Sequence, residues 1–171
     1  LDDLIASKYN HPSIVAIMVF NETWGLQKAY FEHEVNGYKV TRGTKSADGL
    51  STDEWVKKLV NETKAKNPNI LVEDMSPCNQ DHIQPTDLNT YHMYPSSYEN
   101  TVNDVQHFVN GAYPGSGNNF VNGYTQDGDP LLNSEYGGVA AYAGDYDVSY
   151  CFKYMTDIQR RYEKQSGFVY T

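Results

Sequence analysis

The chain has 171 residues, 39% apolar and 20% charged, which suits one globular domain with a substantial core and not a disordered segment. Its formal charge of −9, with no cluster of Lys or Arg, argues against nucleic acid as a partner. No apolar run approaches the roughly 18–20 residues that span a bilayer, so no membrane partner is expected either.

Two cysteines, Cys78 and Cys151, have no metal-like spacing and cannot build a disulfide framework. The start, Leu1-Asp2-Asp3, has no basic segment, so no signal peptide is expected within the chain, and nothing in the sequence assigns a compartment.

In chain order, residues 1–10 read as the last turns of a helix, with Leu4 and Ile5 on its apolar side and Asn10-His11-Pro12 as its stop. Seven apolar residues come next, Ile14 to Phe20, and run straight into Asn21-Glu22. A run this short and β-branched predicts a strand buried on both faces, as in a parallel sheet or barrel covered by helices. Residues 26–50 lack sustained periodicity and hold the turn signals Asn36-Gly37 and Asp48-Gly49, which predicts a long loop above a strand end.

Ser51 and Glu54 have capping-box spacing and open a helix with Trp55, Val56, Leu59 and Val60 on one face. It ends at Asn67-Pro68, and Ile70-Leu71-Val72 predicts a short strand with Glu73 and Asp74 at its end. Leu88 to Tyr94 predicts a third strand, polar and aromatic throughout. A helix from about Ser97 to Val109 comes after it with Tyr98, Val102, Val105 and Val109 on one side, and the Gly/Asn/Pro-rich residues 110–129 predict a surface loop. Pro130-Leu131-Leu132 then delivers Asn133-Ser134-Glu135-Tyr136, a second short apolar strand ending in a carboxylate. From Asp147 a helix places Val148, Cys151, Met155, Ile158 and Tyr162 three or four apart, Gly167 is its expected stop, and a last strand begins at Phe168. The alternation of strands and helices predicts an α/β fold with parallel strands.

Glu22 and Glu135 therefore each close a short apolar strand. In a β/α barrel the C-terminal strand ends carry the chemistry. Two carboxylates flanking a sugar bond are the minimum equipment for glycoside hydrolysis: one carries a proton for the leaving group and the other, ionised, attacks the anomeric carbon. The 15 tyrosines, with Trp24 and Trp55, suit a surface that stacks on sugar rings. His82, His92 and His107 fall on three elements with no ligand spacing, and Asp127-Gly128-Asp129 lacks the rest of a calcium loop, so no metal or other cofactor is expected.

Asn10-His11-Pro12-Ser13-Ile14-Val15, with Phe20-Asn21-Glu22 and Trp24-Gly25, resembles the acid/base segment of glycoside hydrolase family 2, which groups β-galactosidases, β-glucuronidases and β-mannosidases. Leu88 to Tyr94 resembles that family's sixth barrel strand, and Asn133-Ser134-Glu135-Tyr136-Gly137 its nucleophile segment on the seventh. The resemblance implies that residues 1–171 are part of a (β/α)8 TIM-barrel catalytic domain, from about strand four to the start of strand eight. Its partners would be the remaining strands and N-terminal β-sandwich domains of a parent enzyme, with room for a homo-oligomer.

For function, the resemblance implies a retaining hydrolase of terminal β-glycosidic bonds acting on a carbohydrate. Glu22 would be the acid/base and Glu135 the nucleophile. Asn21 would bind the sugar 2-hydroxyl, Tyr91 would donate to Glu135, Asn89 would line the subsite, and Trp24 and Tyr136 would wall it. His92 would point into the sugar site, and His11 would join helix to strand or touch substrate. Two alternatives stand beside it: an endo-acting retaining barrel glycosidase of the cellulase or mannanase type, and a non-catalytic carbohydrate-binding barrel. Trp24-Gly25 after Asn21-Glu22, where the endo-acting families place Pro, disfavours the first.

Overall fold

The structure, a computed structural model, describes residues 1–8, 10–22, 33–35, 38–40, 50–77, 81–139 and 148–171, the short strands 33–35 and 38–40 by their backbone. The fold is mixed α/β with parallel strands, no sheet is closed among the described residues, and the chain divides into two units, 1–88 and 89–171.

In the first unit, α1 (Asp2–Lys8) leads to β1 (Ala16–Asn21), and α2 (Thr52–Lys66) leads to β4 (Leu71–Ser76). The capping box forms as its spacing predicts: Glu54 N–H donates to Ser51 Oγ at 3.3 Å, and Ser51 N–H to Glu54 Oε2 at 2.7 Å. The apolar face of α2 buries Val56 and Val60 completely, and Trp55 packs on Phe20 of β1 with ring centroids 5.4 Å apart. β1 and β4 pair in parallel from Ala16 opposite Leu71 to Asn21 opposite Ser76, so their C-terminal ends are level.

β1 is not buried on both faces as its composition predicts. Met18 is 41% exposed, and Val15, just before the strand, 68%, because among the described residues β1 has a paired strand on one side only. The expected loop 26–50 contains a short antiparallel pair, β2 (His33–Val35) and β3 (Tyr38–Val40), and the turn signal Asn36-Gly37 between them lies outside the described residues, as does Cys78.

β4 also runs further than predicted, carrying Glu73 and Asp74 inside the strand and buried. Asp74 tolerates that position because both oxygens are matched. Oδ1 lies 2.7 Å from His82 Nδ1, and Oδ2 accepts the Ile83 N–H at 2.6 Å. Asp87 does similar work at the other end of this stretch, accepting the Val72 N–H at 2.8 Å and pairing with Lys64. Two buried or half-buried aspartates thus fasten residues 81–87 onto β4.

In the second unit, β5 (Asn89–Met93), β6 (Leu131–Tyr136) and β7 (Gln165–Tyr170) form a parallel sheet in that order. α3 (Asn100–Gly111) and α4 (Val148–Gln159) supply Val105, Val109, Cys151, Met155 and Ile158 to a core completed by Tyr91, Met93, Leu131 and Tyr136. Of the residues spaced for α4 in the sequence, Cys151, Met155 and Ile158 form its buried stripe, while Val148 is exposed and Tyr162 lies past the helix end.

Two expectations fail here. Residues 110–129 are not a plain surface loop: 110 and 111 belong to α3, and Ser116, Phe120, Val121 and Gln126 are buried. Polar side chains make that possible: Gln126 donates to Gly111 O at 2.8 Å and accepts from Asn89 at 3.1 Å, while Asn119 donates to Asn89 Oδ1 at 2.9 Å. Gly167 does not stop α4, which ends at Gln159 before a turn closed by Arg161 N–H to Ile158 O. It lies inside β7, where a Cβ would sit 2.7 Å from Leu132 Cδ1, so its missing side chain lets β7 lie against β6.

No helix among the described residues is long and apolar enough to cross a membrane.

Burial pushes the Tyr91 hydroxyl well above the usual tyrosine range, against a smaller lowering by its bond to Gln165. The folded chain therefore holds this proton more tightly than the unfolded chain. That stabilisation is complete below about pH 10, the unfolded value, and is lost as pH rises toward the folded one. Urea midpoints should fall above about pH 10, and less steeply in Tyr91→Phe; an equal fall in the variant would remove Tyr91 from the account.

Candidate active site

Tyr91 and Met93 of β5 face the helices. Alternation turns His92 and Tyr94 to the other face of the sheet. On β6 the alternation is interrupted. Tyr91 pairs with Asn133 but His92 pairs with Glu135, so Ser134 is an extra residue opposite β5. A bulge of this kind re-aims the side chains beyond it. Asn133 and Tyr136 both stay buried on the helix side, Asn133 donating to Gln159 Oε1 at 2.8 Å, while Glu135 is level with His92. Asn133 Oδ1 also accepts the Glu135 N–H at 3.2 Å, which satisfies a backbone group that the irregular ladder would otherwise strand.

Glu135 is half-buried, and its two oxygens meet different partners. Tyr94 Oη donates to Oε1, and His92 Nδ1 lies 3.6 Å from Oε2. Tyr94 Oη is itself 3.1 Å from Thr171 Oγ1. Thr171 is held by its N–H to Tyr136 O at 2.9 Å, where Gly137 leaves room: a Cβ there would meet Thr171 O at 2.3 Å. The tyrosine on Glu135 is thus Tyr94, not Tyr91. The Tyr91 ring stacks on Phe108 at 3.9 Å, and its hydroxyl donates to Gln165 Oε1 at 2.9 Å.

Two further expected site residues are committed elsewhere. Asn89 is the first residue of β5, at the opposite end of the strand from the position level with Glu135, and is buried against Asn119 and Gln126. Tyr136 is fully buried with its hydroxyl 2.5 Å from Thr156 Oγ1, so it is core and not a wall. Tyr94 was legible as part of the same motif; only the knowledge of which face each residue takes was missing.

In the first unit, the Glu22 N–H donates to Ser76 O at 3.0 Å, one residue beyond the last strand pair. Its φ is +44°, a left-handed conformation that a non-glycine residue adopts at a cost of about 1–3 kcal/mol and that clusters at functional positions. Asn21 is exposed at the end of β1. His11 joins α1 to β1 through its backbone, its N–H on Lys8 O at 3.0 Å and its carbonyl on the Ile14 N–H at 3.1 Å, in keeping with a structural role. Trp24 lies outside the described residues.

These are carboxylates at the C-terminal ends of parallel strands in a mixed α/β fold. A solved structure of a GH2 β-galacturonidase from Eisenbergiella tayi, bound to galacturonate, is similar to this chain with a TM-score of 0.60 and 17% identity. The likeness covers 99% of this chain and 27% of that one, so the chain spans about a quarter of its neighbour's length. No protein-family model matches the chain. No curated protein matches it either.

Exchanging the two tyrosines' hydroxyls for hydrogen separates their roles. If Glu135 is the reacting carboxylate of a parent enzyme, Tyr94→Phe should lower kcat by about one to two powers of ten with little loss of stability, as expected for a charge-assisted bond to that carboxylate. Tyr91→Phe should cost about 1 kcal/mol of stability and leave kcat within about threefold. The reverse pattern in steady-state kinetics and denaturation would return the role to Tyr91.

Proposed function

We propose that the chain is the later part of a (β/α)8 barrel of glycoside hydrolase family 2, and that its parent enzyme is a retaining hydrolase of terminal β-glycosides. The observation that carries this reading is the setting of Glu135: a carboxylate turned away from the helices by a bulge at the end of a parallel strand, with a tyrosine hydroxyl on one oxygen and an imidazole beside the other. The motif order in the sequence and the GH2 structural neighbour support the same family. The exposed Val15, just before β1, and Met18 within it are residues that further strands and side chains of a closed barrel would cover.

In this reading Glu135 is the nucleophile and Glu22 the acid/base. A Glu135 oxygen attacks the anomeric carbon as the bond to the leaving oxygen breaks, and Glu22 gives that oxygen its proton. Glu22 then takes a proton from water, the water oxygen attacks the anomeric carbon, and the ester's electron pair returns to Glu135. The left-handed backbone of Glu22, anchored on Ser76, fixes the direction from which its carboxyl is presented. Asn21, beside it on the strand end, is the proposed partner of the sugar 2-hydroxyl.

The test is to incubate the parent enzyme with a panel of 2-deoxy-2-fluoro glycosyl fluorides and map the labelled peptide by mass spectrometry. The expected adduct is on Glu135, and the sugar that labels fastest names the substrate class. An adduct on another residue, or none in a protein that still binds glycans, would defeat the assignment.

A further inference from the structure

We propose that His92 is a positioning residue for Glu135, acting on the carboxylate and not on the sugar; the inference rests on the reading of Glu135 as nucleophile. Three observations carry it. The β5–β6 register places His92 directly opposite Glu135, past the bulge. The His92 side chain is 1% exposed, so its ring is walled by protein. Its Nδ1 is 3.6 Å from Glu135 Oε2, the oxygen to which Tyr94 does not donate.

With the proton on Nδ1, the imidazole presents a positive edge to Oε2 while Tyr94 donates to Oε1. Together they hold the carboxylate in one orientation and stabilise negative charge on it. That charge is not constant through the reaction. When Glu135 bonds to the anomeric carbon, its negative charge is lost to the ester. When water breaks that bond, the electron pair and the charge return to Glu135.

A group that stabilises the charged carboxylate therefore makes Glu135 a better leaving group in the second step and no better as a nucleophile in the first. Removing it should slow hydrolysis of the glycosyl-enzyme and spare its formation. A histidine that contacted the sugar would act on both steps, because both pass through similar oxocarbenium-like transition states. A purely structural histidine would change the amount of active protein and neither rate constant.

The experiment uses the parent enzyme and the 2-deoxy-2-fluoro glycosyl fluoride that labels the wild type. Inactivation reads the first step, and reactivation of the isolated adduct reads the second in correctly folded molecules only. His92→Phe should slow reactivation about tenfold, the worth of one interaction with a charged group, with inactivation within about twofold. On ordinary substrate kcat and KM should fall together while kcat/KM holds. His92→Asn, which keeps an N–H near the Nδ1 position, should recover most of the reactivation rate. His92→Ala provides the same reading if the Phe ring is not accommodated.

Unchanged reactivation, or inactivation slowed as much as reactivation, would overturn the proposal while leaving Glu135 as nucleophile. Failure of the wild type to label on Glu135 would instead remove the reading beneath it.

Discussion

A single extra residue in β6 sets the arrangement of the second unit. Strict alternation from Leu131 would carry Asn133 and Glu135 to the same face, since residues two apart share a side of a strand. Asn133 is bound to the helix layer through Gln159, so a regular strand would turn Glu135 toward that layer and its apolar core. An ionised carboxylate there would have no compensation. The bulge at Ser134 reverses the phase. It lets Asn133 and Tyr136 both pack inward and leaves Glu135 facing Tyr94 and His92. The cost of the irregular ladder is offset locally, because the Asn133 side chain accepts the Glu135 N–H and the Ser134 hydroxyl reaches Tyr91 O at 3.4 Å.

The first unit solves a related problem by different means. Glu22 lies past the end of β1, and its backbone is turned into the left-handed region instead of being displaced by a bulge. Such a conformation persists only where neighbours over-determine it. Here Ser76 O holds the Glu22 N–H, and β4 is in turn tied to residues 81–87 by the buried Asp74–His82 pair. The buried pair is a polar network with each Asp74 oxygen matched, the condition under which burying a carboxylate is tolerable.

Much of this was legible in the sequence, and the parts that were hidden share a cause. The capping box at Ser51 and Glu54, the helical stripes of Val105/Val109 and Cys151/Met155/Ile158, and the strand endings at Glu22 and Glu135 are local patterns, and local patterns survive without tertiary information. The assignment of Tyr91 to Glu135 failed because Asn89–Met93 is buried at every position. A strand buried on both faces has no hydrophobic alternation from which to tell one face from the other. Asn89 failed for the same reason, compounded by a partner, Gln126, lying 37 residues away in a segment whose Gly and Asn content reads as solvent-exposed loop.

The bulge explains why a motif can be recognised while its geometry stays hidden. Asn133-Ser134-Glu135 looks in sequence like three consecutive residues of a strand. Their meaning depends on the ladder skipping one of them, which only the partner strands reveal. The same skip makes the order of side chains around Glu135 intelligible: Tyr94 lies two residues beyond His92, so both face the carboxylate from one strand, one at each oxygen. A tyrosine one position away, at Met93, would point into the helices, and one at Tyr91 does. Identity at a position therefore matters less here than phase along the strand. That is a constraint on Glu135, Tyr94 and His92 as a set, since shifting any one of them by a residue would separate it from the other two.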